Sequence, residues 1–207
     1  MSDPKCEDRI QAELESRLDD LRNLWDAYTN SGQDCPRCDR EECPACEGEG
    51  EDQDGNKCPQ CKGEGEIYVY EDDGECPICG GSGHVDEDGN TQDLGNIYEY
   101  GLAFDYVAPQ TFKDQDEGYF RYQLSYGGPS DEFRIFAHPV PKGFSVYRIE
   151  YWFLDWFDGA RRTLSGTDRQ FIQEIFDSLF VESETAKFQY DQAMENWEPS
   201  YEEEEED

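Results

Sequence analysis

The sequence predicts an α+β protein: an N-terminal helix, a small cysteine-rich module, and a four-stranded antiparallel sheet covered by a C-terminal helix. Three observations predict it. Apolar residues recur at three- and four-residue steps over residues 5–29; four Cys-Pro-X-Cys pairs crowd between Cys35 and Cys79; and aromatic residues alternate with polar ones beyond Asn96. The first pattern is helical, the second gathers metal ligands, and the third is that of half-buried strands. The boundaries drawn from them are 1–32 for the amphipathic helix, 33–95 for the cysteine module, 96–197 for the aromatic domain and 198–207 for an acidic tail, expected to be disordered when free.

In the helix, Ile10, Leu14, Leu18, Leu21, Leu24, Trp25 and Tyr28 form the stripe, and Asn30-Ser31-Gly32 ends it. Leu14, Leu21 and Tyr28 with Leu18 and Trp25 also fit a heptad, so a homodimer through residues 5–29 is open. Three heptads are marginal for a free coiled coil, so docking on the same chain is expected.

The cysteine pairs begin at Cys35, Cys43, Cys58 and Cys76, and three run into alternating glycines: Gly48 and Gly50, Gly63 and Gly65, Gly81 and Gly83. Two residues between cysteines let both sulfurs point into one turn, and two facing turns supply the four thiolates of a closed zinc site. Eight cysteines in four pairs therefore imply two Zn²⁺. The glycines permit positive φ where the chain folds back. His84 follows the last pair, but eight sulfurs already satisfy two metals. Asp52-X-Asp54-Gly and Asp86-X-Asp88-Gly lack the EF-hand register and are expected to be turns. Cys6 is left over as a free thiol.

The CxxCxGxG repeat resembles the cysteine-rich domain of DnaJ-type (Hsp40) co-chaperones over residues 35–83. That resemblance implies a two-zinc β-hairpin module in which the first and fourth pairs share one metal and the second and third the other. Cys35, Cys38, Cys76 and Cys79 would then hold one zinc, and Cys43, Cys46, Cys58 and Cys61 the second. The residues alone leave the rival order open, first with second and third with fourth, although only Asp39 to Glu42 would then turn between two knuckles. The first pair departs from the repeat, continuing as Asp39-Arg40-Glu41. The His-Pro at His138-Pro139 lacks the aspartate that Hsp70 stimulation requires.

In the aromatic domain, four strands are marked by Tyr98 to Tyr106, Phe120 to Tyr126, Phe133 to Ala137 and Tyr147 to Phe153. Ser165-Gly-Thr-Asp168 opens a helix with an apolar stripe from Phe171 to Phe180, and a weaker helix is expected over Glu184 to Trp197. Arg121, Arg134 and Arg148 fall out of phase with the aromatic set and so share the opposite face. They are expected to form cross-strand pairs with acids or, in the sharper reading, an anion pocket. Asp155 and Asp158, with Trp152 and Trp156, mark a strand-to-helix transition. Residues 97–181 also resemble uncharacterised plasmid and phage proteins found near antirestriction genes, which implies a mobile-element origin.

Charge narrows the function. The chain carries a net charge of −34 over 207 residues, which excludes simple electrostatic binding to nucleic acid or anionic membrane. Residues 1–95 hold 8 basic and 27 acidic side chains, so the cysteine half is the more acidic. The start, Met1-Ser-Asp-Pro-Lys5, has no apolar core of a signal peptide, and no apolar run approaches 18 residues, so a reducing cytoplasm is expected. Two histidines and the absence of nucleophile, P-loop and metalloprotease motifs argue against an enzyme. The expected role is an acidic, zinc-stiffened interaction protein that mimics DNA toward a basic nucleic-acid-binding protein or defence complex. Glu41, Glu42, Glu47, Glu49, Glu51, Asp52, Asp54, Asp72 and Asp73 are its candidate partner-binding residues. The alternatives are a DnaJ-like chaperone or thiol-exchange module, and acidity that merely adapts the surface to high salt.

Overall fold

A computed structural model describes residues 5–51, 55–70, 75–195 and 197. The fold is α+β, and the chain divides into two compact units, one of Met1–Leu18 with Gly101–Asp207 and one of Asp19–Tyr100. Helix α1, Cys6–Thr29, contributes to both. Its stripe Ile10, Leu14, Leu18, Leu21 and Leu24 is buried within the chain.

The larger unit is built on a five-stranded antiparallel sheet in the order β3 (Ala103–Val107), β4 (Tyr119–Ser125), β5 (Ser130–Val140), β6 (Gly143–Asp155) and β7 (Asp158–Thr163). Sequential neighbours pair throughout, so short turns suffice and no crossover is needed. Register places Phe120 opposite Ile135, Tyr122 opposite Phe133 and Phe133 opposite Tyr151, which sets the large side chains on one face. That face is covered by helix α3 (Gly166–Ile175), a π-helical segment Phe176–Val181 and helix α4 (Thr185–Glu195). Phe180 stacks on Phe104 at 3.8 Å, Phe176 sits 5.2 Å from Phe120, and Tyr190 lies 4.8 Å from Tyr106. Residues Cys6 to Leu18 of α1 meet the same sheet. Arg17 forms a forked pair with buried Asp131 at 2.7 and 3.1 Å, and Tyr151 donates to Asp131 at 2.7 Å.

The sheet gains a strand over the four expected. β7 has one buried residue, Ala160, in the run Asp158–Thr163, so it carries no apolar alternation to read. Arginines on such an edge strand discourage further pairing. At the other edge, the alternation from Tyr98 to Tyr106 is not one strand. Asn96 Oδ1 accepts the Tyr98 N–H at 2.9 Å and starts a short helix α2, Ile97–Tyr100, before β3 begins.

The smaller unit pairs β1 (Cys38–Glu42) with β2 (Glu66–Tyr70), antiparallel, with Cys38 opposite Tyr70 and Glu42 opposite Glu66. Cys35, Cys76, Ile78, Cys79 and Val85 form a core with Ala27 of α1. Within the same unit Tyr100 donates to Asp20 at 2.7 Å and Tyr98 to Tyr28 at 3.0 Å, which ties α2 to the helix.

Candidate metal centre

The β1–β2 ladder places the cysteine pairs. One end of β1 carries the first knuckle and the other leads into the second, while β2 leaves the third and heads toward the fourth. The strand rise of about 3.3 Å per residue separates Cys38 from Cys43 by roughly 17 Å, too far to share one ion. Antiparallel pairing instead brings the first knuckle to the fourth and the second to the third. Two four-sulfur clusters result, Cys35, Cys38, Cys76 and Cys79, and Cys43, Cys46, Cys58 and Cys61, with the sulfurs of each within 4.8 Å of one another. The order left open by spacing alone is thereby decided. The departure after the first pair also has its cause: Asp39-Arg40-Glu41 is strand, where the other three pairs fold back through glycine.

The second and third knuckles are built reciprocally. Cys43 N–H donates to Gly65 O and Cys58 N–H to Gly50 O, both at 2.8 Å. Gly50 N–H points at Cys46 Sγ and Gly65 N–H at Cys61 Sγ, both at 3.3 Å. This crossing requires glycine. A Cβ on Gly65 (φ +79°) would lie 2.4 Å from Gly48 O, and one on Gly50 (φ +76°) 2.7 Å from Gly63 O. Among the described residues the first and fourth knuckles are joined by one such bond, Cys35 N–H to Gly83 O at 2.8 Å, with the Tyr68 ring packed on Gly83.

Sulfur separations fit a metal. Cys35–Cys76 and Cys38–Cys79 are 3.7 and 3.5 Å apart, and Cys43–Cys58 and Cys46–Cys61 are 3.9 and 3.7 Å. A tetrahedron with metal–sulfur bonds of about 2.3 Å has edges of about 3.8 Å. The thiols themselves are uneven. Burial works to raise Cys61, but the Gly63 and Gly65 N–H groups outweigh it and bring it down to about 6. In Cys79 burial is likewise opposed, chiefly by Gly83 N–H and Cys38, which bring it down to about 7. Burial pushes Cys35 up to about 12 and Cys46 up to about 11. Backbone N–H groups aimed at sulfur favour thiolate, the form a metal takes.

His84 joins neither cluster; its Nδ1 lies 3.4 Å from Asp34 and its ring packs edge-on against Tyr68. Asp86 accepts N–H groups of Asp88 and Asn90 at 3.1 and 2.8 Å, as a closing turn does. Among the candidate partner-binding acids, Glu41, Glu42, Glu47, Glu49 and Glu51 are exposed. Asp52, Asp54, Asp72 and Asp73 lie outside the described residues, as do 198–207 of the acidic tail.

On the open face of the sheet, Arg134 and Arg148 line one cavity of about 390 Å³ with Lys113 and Arg161, while Arg121 lines another recess. Arg121 is held by Asp105 at 2.9 and 2.6 Å. Arg134 pairs with Glu132 at 2.6 Å and lies 3.7 Å over Trp152; Arg148 pairs with Glu117 and, at 3.1 Å, with buried Glu150. Hydrogen bonds from Arg148 and Tyr147 hold the Glu117 carboxyl below its usual range. Arg134 and Arg148 in this cavity are thus matched by acids. Asp155 and Asp158 flank a hairpin rather than a strand-to-helix junction, and both serve α1: Asp158 accepts Cys6 N–H at 2.8 Å and Asp155 pairs with Arg9 at 3.0 Å. Cys6 is buried there, and burial first, with Asp158 next, pushes its thiol up.

Sequence reasoning missed the reciprocal Gly50–Gly65 crossing and the role of Tyr68. The glycine pattern pointed to the first; nothing local marked the second. Compared with protein-family models, curated proteins and solved structures, the chain matches none.

Proposed function

We propose that this protein is a zinc-binding, acidic interaction protein of phage or plasmid origin that acts in the host cytoplasm. It occupies the nucleic-acid site of a basic protein or defence complex and inhibits or regulates it as a DNA mimic. The observation that carries the reading is the union of two four-sulfur clusters with a net charge of −34. Zinc is the metal suited to four thiolates in closed tetrahedral sites, and it contributes fold without redox chemistry. Duplex DNA carries one charge per ~1.7 Å of axis. Carboxylates such as Glu41, Glu42, Glu47, Glu49 and Glu51, carried by a metal-clamped hairpin, offer a basic groove comparable charge without flexibility. Complementary charge makes such association fast and salt-sensitive.

A second reading, a DnaJ-like chaperone or thiol-exchange module, draws on the pairing of first with fourth and second with third knuckles. Zinc-bound thiolates are damped nucleophiles, which weighs against exchange. One experiment separates the readings. The full chain, with its zinc counted by native mass spectrometry, is used to capture proteins at low ionic strength, followed by elution with salt. Each eluted protein is then assayed for duplex binding with and without the chain. Two zinc ions, and displacement of DNA from a captured protein, are the expected results. Recovery of an Hsp70 or of unfolded clients supports the chaperone reading, and a chain that folds only in high salt returns the acidity to salt adaptation.

A further inference from the structure

The hairpin between β6 and β7 is closed by two residues, Trp156 and Phe157, between the paired Asp155 and Asp158. Both side chains stand in solvent, at 86% and 103% of full exposure, in a unit where most of the described aromatic residues are buried or half-buried. Trp156 adopts φ +52°. Primed hairpin turns take their first central residue at positive φ, where glycine is the ordinary occupant and a bulky side chain is strained. Local folding therefore gains nothing from tryptophan here. The neighbouring β4–β5 turn adds Tyr126, 84% exposed, and Gly128, where a Cβ would lie 2.9 Å from the Trp156 indole nitrogen. The base of the hairpin is fixed to α1 through Asp158 and Asp155, so the tip is preorganised.

We propose that Trp156 and Phe157, with Tyr126, form the anchor of a protein interface that inserts into an apolar cleft rimmed by basic side chains. Aromatic residues on a rigid support are the usual energetic centres of interfaces. The chain's net charge of −34 selects a basic rim. It also opposes an anionic membrane and a second copy of the chain. Three aromatic side chains bury at most roughly 150–250 Å² each, less than the ~800 Å² per partner of a stable interface, so the tip anchors a larger charged contact. This deepens the acidic-partner reading and rests on it for the rim.

The test uses the full zinc-loaded chain as bait for displayed random 12-residue peptides, with Trp156→Gly/Phe157→Asn as the comparison. Glycine suits the turn, so this variant should melt no lower than the wild type. The expected result is peptides with clustered apolar residues flanked by Lys or Arg, bound at least tenfold more weakly by the variant and more weakly in high salt. Peptides that bind both proteins within twofold, or that lack apolar positions, overturn the proposal. So does tip-dependent sedimentation with phosphatidylcholine vesicles, or a wild-type dimer that the variant abolishes in analytical ultracentrifugation. A parallel variant with Glu41, Glu42, Glu47, Glu49 and Glu51 changed to glutamine keeps the two ideas apart. It is assayed for displacement of DNA from a captured protein: a glutamine variant that still displaces DNA removes the mimic reading, whereas a tip variant that keeps peptide binding overturns the anchor.

Discussion

At the scale of single residues, glycine and buried charge decide most. Gly65 and Gly81 both sit at positive φ, the second glycine of one CxxCxGxG copy and the first of another, yet a Cβ on Gly65 would lie 2.4 Å from Gly48 O, whereas nothing lies within 4 Å of a Cβ on Gly81. Gly65→Ala should therefore open the Cys43/Cys46/Cys58/Cys61 cluster and lower the metal count in native mass spectrometry from two to one. Gly81→Ala should retain both. As text the first and second glycines of the repeat look alike, so this inequality was hidden from the sequence; it arises from which chain segment crosses each glycine. Asp131 is the second case. It is 3% exposed and gathers Arg17, Tyr151 and Ser125. Asp131→Ala removes the buried carboxylate that accepts from Arg17 and leaves the buried Tyr151 hydroxyl without this acceptor, a loss of about 3 kcal/mol measurable by urea unfolding. Nothing in the run Ser130-Asp-Glu-Phe distinguished it from a surface acid.

Among the elements, legibility followed apolar periodicity. Helix α1 and strands β4, β5 and β6 were readable because each presents a regular buried set, and the same alternation correctly put Arg134 and Arg148 on the open face. β7 was silent because an edge strand of Asp-Gly-Ala-Arg-Arg-Thr buries one methyl group. α2 was misread because Tyr98 and Tyr100 continue the aromatic spacing while their hydroxyls turn toward α1. The π-helical segment had no signature either. Phe176 and Phe180 both reach the sheet from it and Leu179 is buried, with Glu182 N–H closing on Asp177 O at 2.9 Å. Phe176 is fully buried between Phe120 and Phe144. Phe176→Ala should cost about 4 kcal/mol, mostly as cavity, and lower the denaturant midpoint of the sheet unit.

For the whole molecule, the two compact units differ in what holds them. The sheet unit has an aromatic core of its own, whereas the Asp19–Tyr100 unit has cysteines as the greater part of its buried clusters. Metal removal should therefore act unequally. Addition of a strong chelator is expected to abolish protection of amides in residues 33–95 in hydrogen exchange, while β4 to β6 keep theirs. Equal loss in both would show that the sheet depends on the metal-binding unit. The number of ligands was foreseen from cysteine spacing and the pairing order from a family resemblance; the residues alone left that order open, because only the extended β1 separates Cys38 from Cys43 far enough to decide it.

The two clusters are enclosed one within the other, like nested brackets: 41 positions separate Cys35 from Cys76, and 15 separate Cys43 from Cys58. Closing the shorter loop forfeits less chain entropy and, once done, shortens the span still to be closed by the longer. Filling should accordingly proceed from the inside outward, and a chain emerging from the ribosome cannot complete its outer clasp until the inner one has been available to form. In a stoichiometric titration of the apo chain, a one-metal species with Cys35, Cys38, Cys76 and Cys79 still open to alkylation should accumulate before the two-metal form.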